Sequence, residues 1–176
     1  CRDLADEHPR VILLQHQDGK NHGAGASRNL GINKARFPYI AFLDADDYFL
    51  PGRFATAKEL FKADVTVDGV YEAVGTHFET PELEKQGRAR HSRELTTMNE
   101  AVTPDHLFEA QEPVGRQGHC HTDGWLVKRS VFSKTGLFDE NLRLHQDTAM
   151  FVKFAAVSKM VPGRLDVPVA MRRIHD

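Results

Sequence analysis

The stretch that decides the fold reads Tyr39-Ile40-Ala41-Phe42-Leu43-Asp44-Ala45-Asp46-Asp47. Its apolar run stops at three carboxylates, which predicts a fully buried strand with an acidic tip. Ligands of open α/β sheets bind beyond the carboxyl ends of the strands, and carboxylates crowded there repel one another unless a cation neutralises them. Oxygen ligands suit Mg²⁺ or Mn²⁺, so the stretch predicts a site for a metal-bound nucleoside diphosphate. The alternative is a solvated turn after a strand, where Asp is common.

The segments upstream extend the pattern to a crossover unit. Residues 10–16 predict a second buried strand, and residues 21–31 predict a Gly-rich turn that opens a helix. Such a turn followed by a helix N-terminus accepts phosphate, because its amide groups point outward. The Gly23-Ala24-Gly25 spacing lacks the third glycine of a dinucleotide-binding fingerprint, which argues against a dehydrogenase.

Three motifs in this order resemble family 2 glycosyltransferases of the glycosyltransferase A fold. The first is residues 23–54, GAGASRNLGINKARFPYIAFLDADDYFLPGRF. The second is Gly136-Leu137-Phe138-Asp139-Glu140 followed by Gln146-Asp147, where the family usually has Glu-Asp. The third is the closing Val169-Ala170-Met171-Arg172-Arg173-Ile174-His175. The resemblance covers nearly the whole chain except residues 72–113.

The resemblance implies a fold and a set of site residues. The fold is a Rossmann-like, three-layer α/β/α domain over residues 1–176, here expected to lack its first β-α-β unit. The chain is therefore expected to be an inactive fragment, with the strand at residues 10–16 poorly supported. Asp147 is the implied catalytic base, and it falls at a helix start, which stabilises a negative charge. The nucleotide-sugar is expected to contact Gly23, Gly25, Arg28, Asn29 and Asp44, and Mn²⁺ or Mg²⁺ is expected at Asp46, Asp44 and His175.

The expected activity is inverting, metal-dependent transfer from a nucleotide-diphosphate sugar, most simply a UDP-sugar, to a hydroxyl of a glycan or glycolipid. The enzyme would be a hexosyl- or N-acetylhexosaminyltransferase of cell-surface polysaccharide biosynthesis. One alternative is a non-catalytic nucleotide-sugar-binding or scaffold domain, suggested by Gln146 and the missing unit. Another is a nucleotidyltransferase, but the basic Gly-rich triphosphate loop of that class is not found in the sequence.

Composition narrows the class of protein further. The 176 residues suffice for one domain with a substantial core. A net charge of −2 without a basic stripe argues against nucleic acid as a partner. No apolar run reaches the length of a membrane span, and the two cysteines form no disulfide framework. We therefore expect a cytoplasmic protein, with peripheral association at the inner face of the membrane through regions outside this sequence.

The remaining patterns predict helices at residues 51–63 and 146–159, a partial helix within 99–110, and strands at 64–71, 125–127 and 165–171. Residues 72–113 are polar and irregular, which predicts either a solvated loop or an acceptor-side insertion. His119-Cys120-His121 has three interpretations: a zinc site, a loop lining the donor or acceptor sugar, and a plain polar loop. No second Cys/His pair sits at structural-zinc spacing, which disfavours the first.

Overall fold

The computed structural model describes residues 2–90 and 94–175. The α-helices of the described residues are α1 (Arg2–Glu7), α2 (Gly23–Lys34), α3 (Ala55–Ala63), α4 (Pro81–Arg90), α5 (Pro104–Leu107), α6 (Phe132–Thr135) and α7 (Gln146–Val157). The strands are β1 (Tyr39–Ala41), β2 (Tyr48–Phe49), β3 (Gly69–Tyr71), β4 (Val74–Phe78), β5 (Leu95–Thr96), β6 (Trp125–Lys128), β7 (Met160–Pro162) and β8 (Ala170–Ile174).

The strands form two sheets of four. The main sheet has the order β1-β6-β3-β7, in which β6 is antiparallel to both of its neighbours and β3 is parallel to β7. The small sheet has the order β2-β8-β4-β5, with β4 parallel to β8 and the other pairs antiparallel. The chain passes from the main sheet to the small one three times, between β1 and β2, between β3 and β4, and between β7 and β8.

Helices cover both faces of the main sheet. On one face, a cluster built around Trp125 and Phe42 joins β1 and β6 to residues of α2, α6 and α7. On the other face, Val70 and Leu126 pack against Ala57 and Phe61 of α3. Successive residues of β6 alternate between the two clusters, as the two-residue period of a strand requires. The predicted three-layer α/β/α arrangement is confirmed.

A buried ion pair links the two sheets. The fully buried Glu72, between β3 and β4, accepts a hydrogen bond of 2.9 Å from Nη1 of Arg53. Nη2 of Arg53 donates to the carbonyl of Trp125 in β6, also at 2.9 Å. Burial raises the pKa of Glu72 and lowers the pKa of Arg53, and the charge of each opposes the shift of the other. The pairing therefore offsets part of the cost of burying each charge.

Most of the predicted elements are confirmed, including α2, α3, α7 and the strand at β6. The strand predicted at residues 64–71 is confirmed only at β3, because residues 64–68 form a turn and no strand. The predicted strand at residues 10–16 is wrong in this structure: it forms no strand, and Val11, Ile12 and Leu13 are exposed. The poor support expected for this segment is what the structure shows. The strand at β1 is also less buried than predicted, because among the described residues it pairs only with β6 and Tyr39 is exposed.

The segment at residues 72–113 departs most from its prediction as an irregular polar region. It contains β4, α4, β5 and α5, although residues 91–93 lie outside the described part of the chain. The last strand begins at Ala170 rather than residue 165, because Pro168 cannot donate to a ladder. Cys120 is a buried free thiol, and Cys1 lies outside the described residues. Within residues 2–90 and 94–175, no helix has the length and apolar character needed to cross a bilayer.

We predict that Glu72→Gln lowers the free energy of unfolding by about 3 kcal/mol, because it leaves the Arg53 charge buried and unpaired. Urea denaturation followed by circular dichroism measures the difference. Glu59→Gln is the control, since Glu59 forms an exposed pair with Lys62 at 2.9 Å and such pairs contribute about 0.5 kcal/mol. Equal stability of the two variants would contradict a linking role for the buried pair.

Candidate functional site

The carboxylates after β1 lie in a tight turn at residues 44–47, called the acidic turn below. The amide of Asp47 donates to the carbonyl of Asp44 at 3.1 Å and closes the turn. Oδ1 of Asp44 accepts a hydrogen bond of 2.5 Å from Nη2 of Arg28 in α2. A side chain of the preceding helix therefore reaches the tip of the strand that follows it.

The small sheet brings the end of the chain to the acidic turn. Because β8 pairs with β2 in the register Tyr48↔Met171, the residues after Met171 run alongside the turn. The amide of Arg173 donates to Oδ1 of Asp47 at 2.9 Å. Nε2 of His175 lies 3.2 Å from Oδ2 of Asp46. The structure thus brings Asp46 and His175 together, as the sequence predicts, across more than a hundred residues of chain.

The segment just before β6, residues 121–124, also contacts the acidic turn. The residues of a 3₁₀ turn, Thr122–Gly124, precede β6, and Oδ1 of the fully buried Asp123 accepts a hydrogen bond of 3.2 Å from the amide of Asp44. His121 lies beside them, with Nδ1 3.6 Å from Oδ2 of Asp123. One ligand atom each from Asp44, Asp47 and His121 lies within 4.8 Å of the others, a spacing that fits one metal ion.

The electrostatics of this cluster follow from crowded acidic groups and burial. Burial, together with the adjacent Asp47 and Asp44 carboxylates, raises the pKa of Asp123 to about 8. Burial lowers the pKa of His121, and the carboxylates of Asp44, Asp47 and Asp147 oppose that shift. The hydrogen bond from His175 lowers the pKa of the exposed Asp46. His121 is therefore a neutral imidazole at neutral pH, the form that ligates metals.

The residue types here fit a divalent cation, and the structure offers two neighbouring donor sets. Asp46 and His175 are the pair that the sequence predicts, whereas the predicted third ligand, Asp44, contacts Arg28 instead. In the set of Asp44, Asp47 and His121, the sequence predicts only Asp44 as a ligand. The sequence signal for His121 is His119-Cys120-His121, which predicted a zinc site, a sugar-lining loop or a plain polar loop rather than a ligand shared with the acidic turn.

Helix α2 contributes residues of two kinds. Arg28 faces the acidic turn, and its guanidinium lies 5.6 Å from the centre of the Phe138 ring. Asn29 is buried, donates to the carbonyl of Phe138 at 2.9 Å and accepts from the amide of Phe138 at 2.9 Å. It also donates to Glu140 at 2.8 Å. The side-chain amide of Asn29 is thus engaged by Phe138 and Glu140. In this structure Asn29 holds the segment at Phe138, and its side-chain amide does not point to a nucleotide-sugar.

The N-termini of α2 and α7 meet at Gly25. A Cβ atom on Gly25 would lie 2.7 Å from Nε2 of Gln146, so a larger residue here would displace the Gln146 side chain from its present position. Gln146 in turn donates to the carbonyl of Leu142 at 2.5 Å. Asp147 follows in the first turn of α7, partly buried, with Oδ1 accepting from the amide of Thr148 at 2.8 Å. His145 before it has a left-handed backbone, with φ of 61°, which is uncommon for a residue other than glycine.

Comparison with known proteins supports what this geometry indicates. The profile of Glycosyl transferase family 2 matches residues 1–136. An uncharacterized glycosyltransferase of Rickettsia typhi is 26% identical over 89% of this chain and 46% of its own length. The succinoglycan biosynthesis protein ExoW of Rhizobium meliloti is 26% identical over 83% of this chain and 45% of its own length. The chain therefore spans about half the length of these relatives.

A solved structure confirms the fold at greater sequence distance. The crystal structure of S. aureus TarS 1–349 in complex with UDP-GlcNAc superposes with a TM-score of 0.67 at 12% identity. The match covers 99% of this chain and 46% of the TarS chain. The mixed α/β architecture is thus that of a glycosyltransferase A fold, as the sequence resemblance implies, and the chain belongs to glycosyltransferase family 2.

Proposed function

We propose that the protein transfers a sugar, with inversion, from a nucleoside-diphosphate sugar to a hydroxyl of a glycan or glycolipid. The observation that carries the proposal is the convergence of three separate segments on the acidic turn. Arg28 comes from α2, His121 and Asp123 from the segment before β6, and Arg173 and His175 from the end of β8 and the residue after it. Asp147 of α7 is close enough to act on the charge of His121.

The donor diphosphate is proposed to lie between the acidic turn and the N-terminus of α2. The amide of Gly23 donates to Oδ1 of Asn21 at 2.8 Å, and His22 makes no side-chain cap hydrogen bond to the helix. The amides that follow Gly23 in the first turn of α2 are therefore the ones proposed to bind the anion. Arg28 adds a positive charge beside them. UDP is the simplest proposed nucleotide, since TarS, which shares the fold, was crystallised with UDP-GlcNAc and with UDP. Mn²⁺ or Mg²⁺ bound here would neutralise the charge of the leaving diphosphate.

Asp46 and His175 are proposed as the protein ligands of that cation. Their side chains are 50% and 43% exposed, which leaves room for water and phosphate oxygens. Asp44 and Asp47 each have one carboxylate oxygen engaged, by Arg28 and by the amide of Arg173. The set of Asp44, Asp47 and His121 is the second candidate.

Asp147 is proposed as the base. It accepts the proton of the acceptor hydroxyl while that oxygen forms a bond to the anomeric carbon and the nucleoside diphosphate leaves. Asn29 and Gln146 hold the surrounding backbone: Asn29 fixes Phe138, and Gln146 fixes the segment at Leu142 against α2. These contacts orient the start of α7 relative to the donor side.

We predict that Asp46→Asn weakens Mn²⁺-dependent binding of UDP roughly tenfold or more, because it removes a charged ligand at the strand end. Titration calorimetry with UDP, with and without Mn²⁺, measures the loss. Asp6→Asn, an exposed change in α1, is the control and should bind as the parent does. Parental affinity in Asp46→Asn would instead favour Asp44, Asp47 and His121 as the ligands.

We predict that Asp147→Asn in the full-length protein keeps donor affinity and lowers turnover by a factor on the order of a hundred or more, the usual contribution of a positioned base. Release of UDP from the UDP-sugar measures turnover. Asp105→Asn is the matched control, because Asp105 is also an acidic residue in the first turn of a helix. Turnover near the parental value in Asp147→Asn would mean that another residue is the base. A parent that binds donor but never turns over would favour the non-catalytic alternative.

A further inference from the structure

A cleft of about 830 Å³ lies between α4 and the small sheet. Its apolar wall includes Phe78, Leu95, Pro168, Met171 and Ile174. Its volume falls in the range of pockets that bury most of a small organic ligand. None of the donor-side residues of α2 lines it, so the donor site proposed above leaves the cleft without a role.

Two polar groups at this cleft lack partners among residues 2–90 and 94–175. Oγ1 of Thr97 is buried and makes no hydrogen bond. Arg172 is partly buried, its Nε is buried without a hydrogen bond, and its guanidinium forms no ion pair within the described chain. By contrast Arg88, which also lines the cleft, pairs with Glu84 and Glu94. Buried polar groups are nearly always satisfied, so the two unpaired groups indicate a missing partner.

The cleft borders the acidic turn through two segments. His119 lines the cleft, and His121, two residues later, lies with Asp44 and Asp47. Along β8, Arg172 lines the cleft while the amide of Arg173 binds Asp47. Arg172 also contributes to lowering the pKa of His121, which places its charge near that histidine.

We propose that this cleft binds the acceptor, and that the acceptor carries an anionic group, phosphate or carboxylate, which Arg172 holds. A guanidinium recognises both groups with paired hydrogen bonds. Thr97 supplies a hydroxyl to the same ligand, and the apolar wall takes the carbon face of a sugar ring. The inference rests on the proposed function, which makes Asp147 the base; Arg172 and Asp147 both lie close enough to His121 to act on its charge. The rim carboxylates, Glu94 and Asp166, favour one anchored anion over a polyanion.

Arg172→Met tests the anion contact directly. Glucose 1-phosphate, glucuronate and methyl glucoside are titrated into the ¹⁵N-labelled protein, and amide shifts are followed. We expect the two anions to shift amides of β4, β5 and β8, and Arg172→Met to weaken their binding about tenfold or more. Methyl glucoside should bind more weakly than either anion and be unaffected by Arg172→Met. Arg36→Met removes an equal charge from an exposed position before β1 and should bind as the parent does.

Thr97→Val removes the second unpaired group with little change of shape. The inference expects weaker anion binding with unchanged or higher stability, because the buried hydroxyl has no partner to lose. Failure of the parent to bind either anion, shifts confined to other surfaces, or equal binding by Arg172→Met would overturn the inference. So would loss of UDP binding in Arg172→Met, since Arg172 would then serve the donor.

Measurement of UDP binding distinguishes a failure of the proposed function from a failure of the acceptor inference. Binding of UDP with Mn²⁺ is measured on the same variants and should remain at the parental value in Arg172→Met and Thr97→Val. Absence of UDP binding in the parent would contradict the proposed function while leaving the anion result standing. Absence of anion binding with normal UDP binding would contradict only the acceptor inference.

Discussion

Repulsion among carboxylates is the constraint on which the site depends. Asp44, Asp46, Asp47 and Asp123 gather at the end of one strand, and burial together with the neighbouring Asp47 and Asp44 raises the pKa of Asp123 to about 8, so this carboxyl is mostly protonated at neutral pH. Each of the three carboxylates of the acidic turn has a different partner: Arg28 contacts Asp44, the amide of Arg173 contacts Asp47, and His175 contacts Asp46. Asp123 keeps one oxygen without a hydrogen bond among the described residues. A divalent cation reduces the repulsion among these carboxylates. A cluster that would otherwise destabilise the fold therefore favours the binding of a metal ion and a diphosphate.

The two-sheet architecture makes this gathering feasible. The main sheet supplies β1, whose end carries the acidic turn, and the small sheet carries the chain terminus back to the same turn through β2 and β8. The ion pair of Arg53 and Glu72 fixes one sheet to the other at the crossing between β3 and β4. Because β8 contacts the turn on one side and the cleft on the other, it links the donor site and the proposed acceptor cleft.

The sequence predicted the elements whose pattern is local. Helix α2, the acidic tip and α7 follow from glycine placement, apolar runs and helical spacing, and the pairing of Asp46 with His175 was expected from family resemblance. Asp123 and Glu72 could not be predicted, since their roles arise from burial against residues distant in sequence. Helix α4 was not predicted, because its sequence PELEKQGRAR has one large apolar residue, Leu83, and therefore shows no apolar periodicity. Residues 10–16 were predicted as a strand but form none. An apolar run shows strand propensity without showing whether a partner strand lies beside it.

The most direct test is a crystal of the protein grown with UDP and MnCl₂, with data collected at a wavelength where manganese scatters anomalously. The account predicts a manganese peak bound by a carboxylate of the acidic turn, with the UDP diphosphate beside the N-terminus of α2. A manganese peak remote from residues 44–47, or UDP bound away from α2 and the turn, would contradict it.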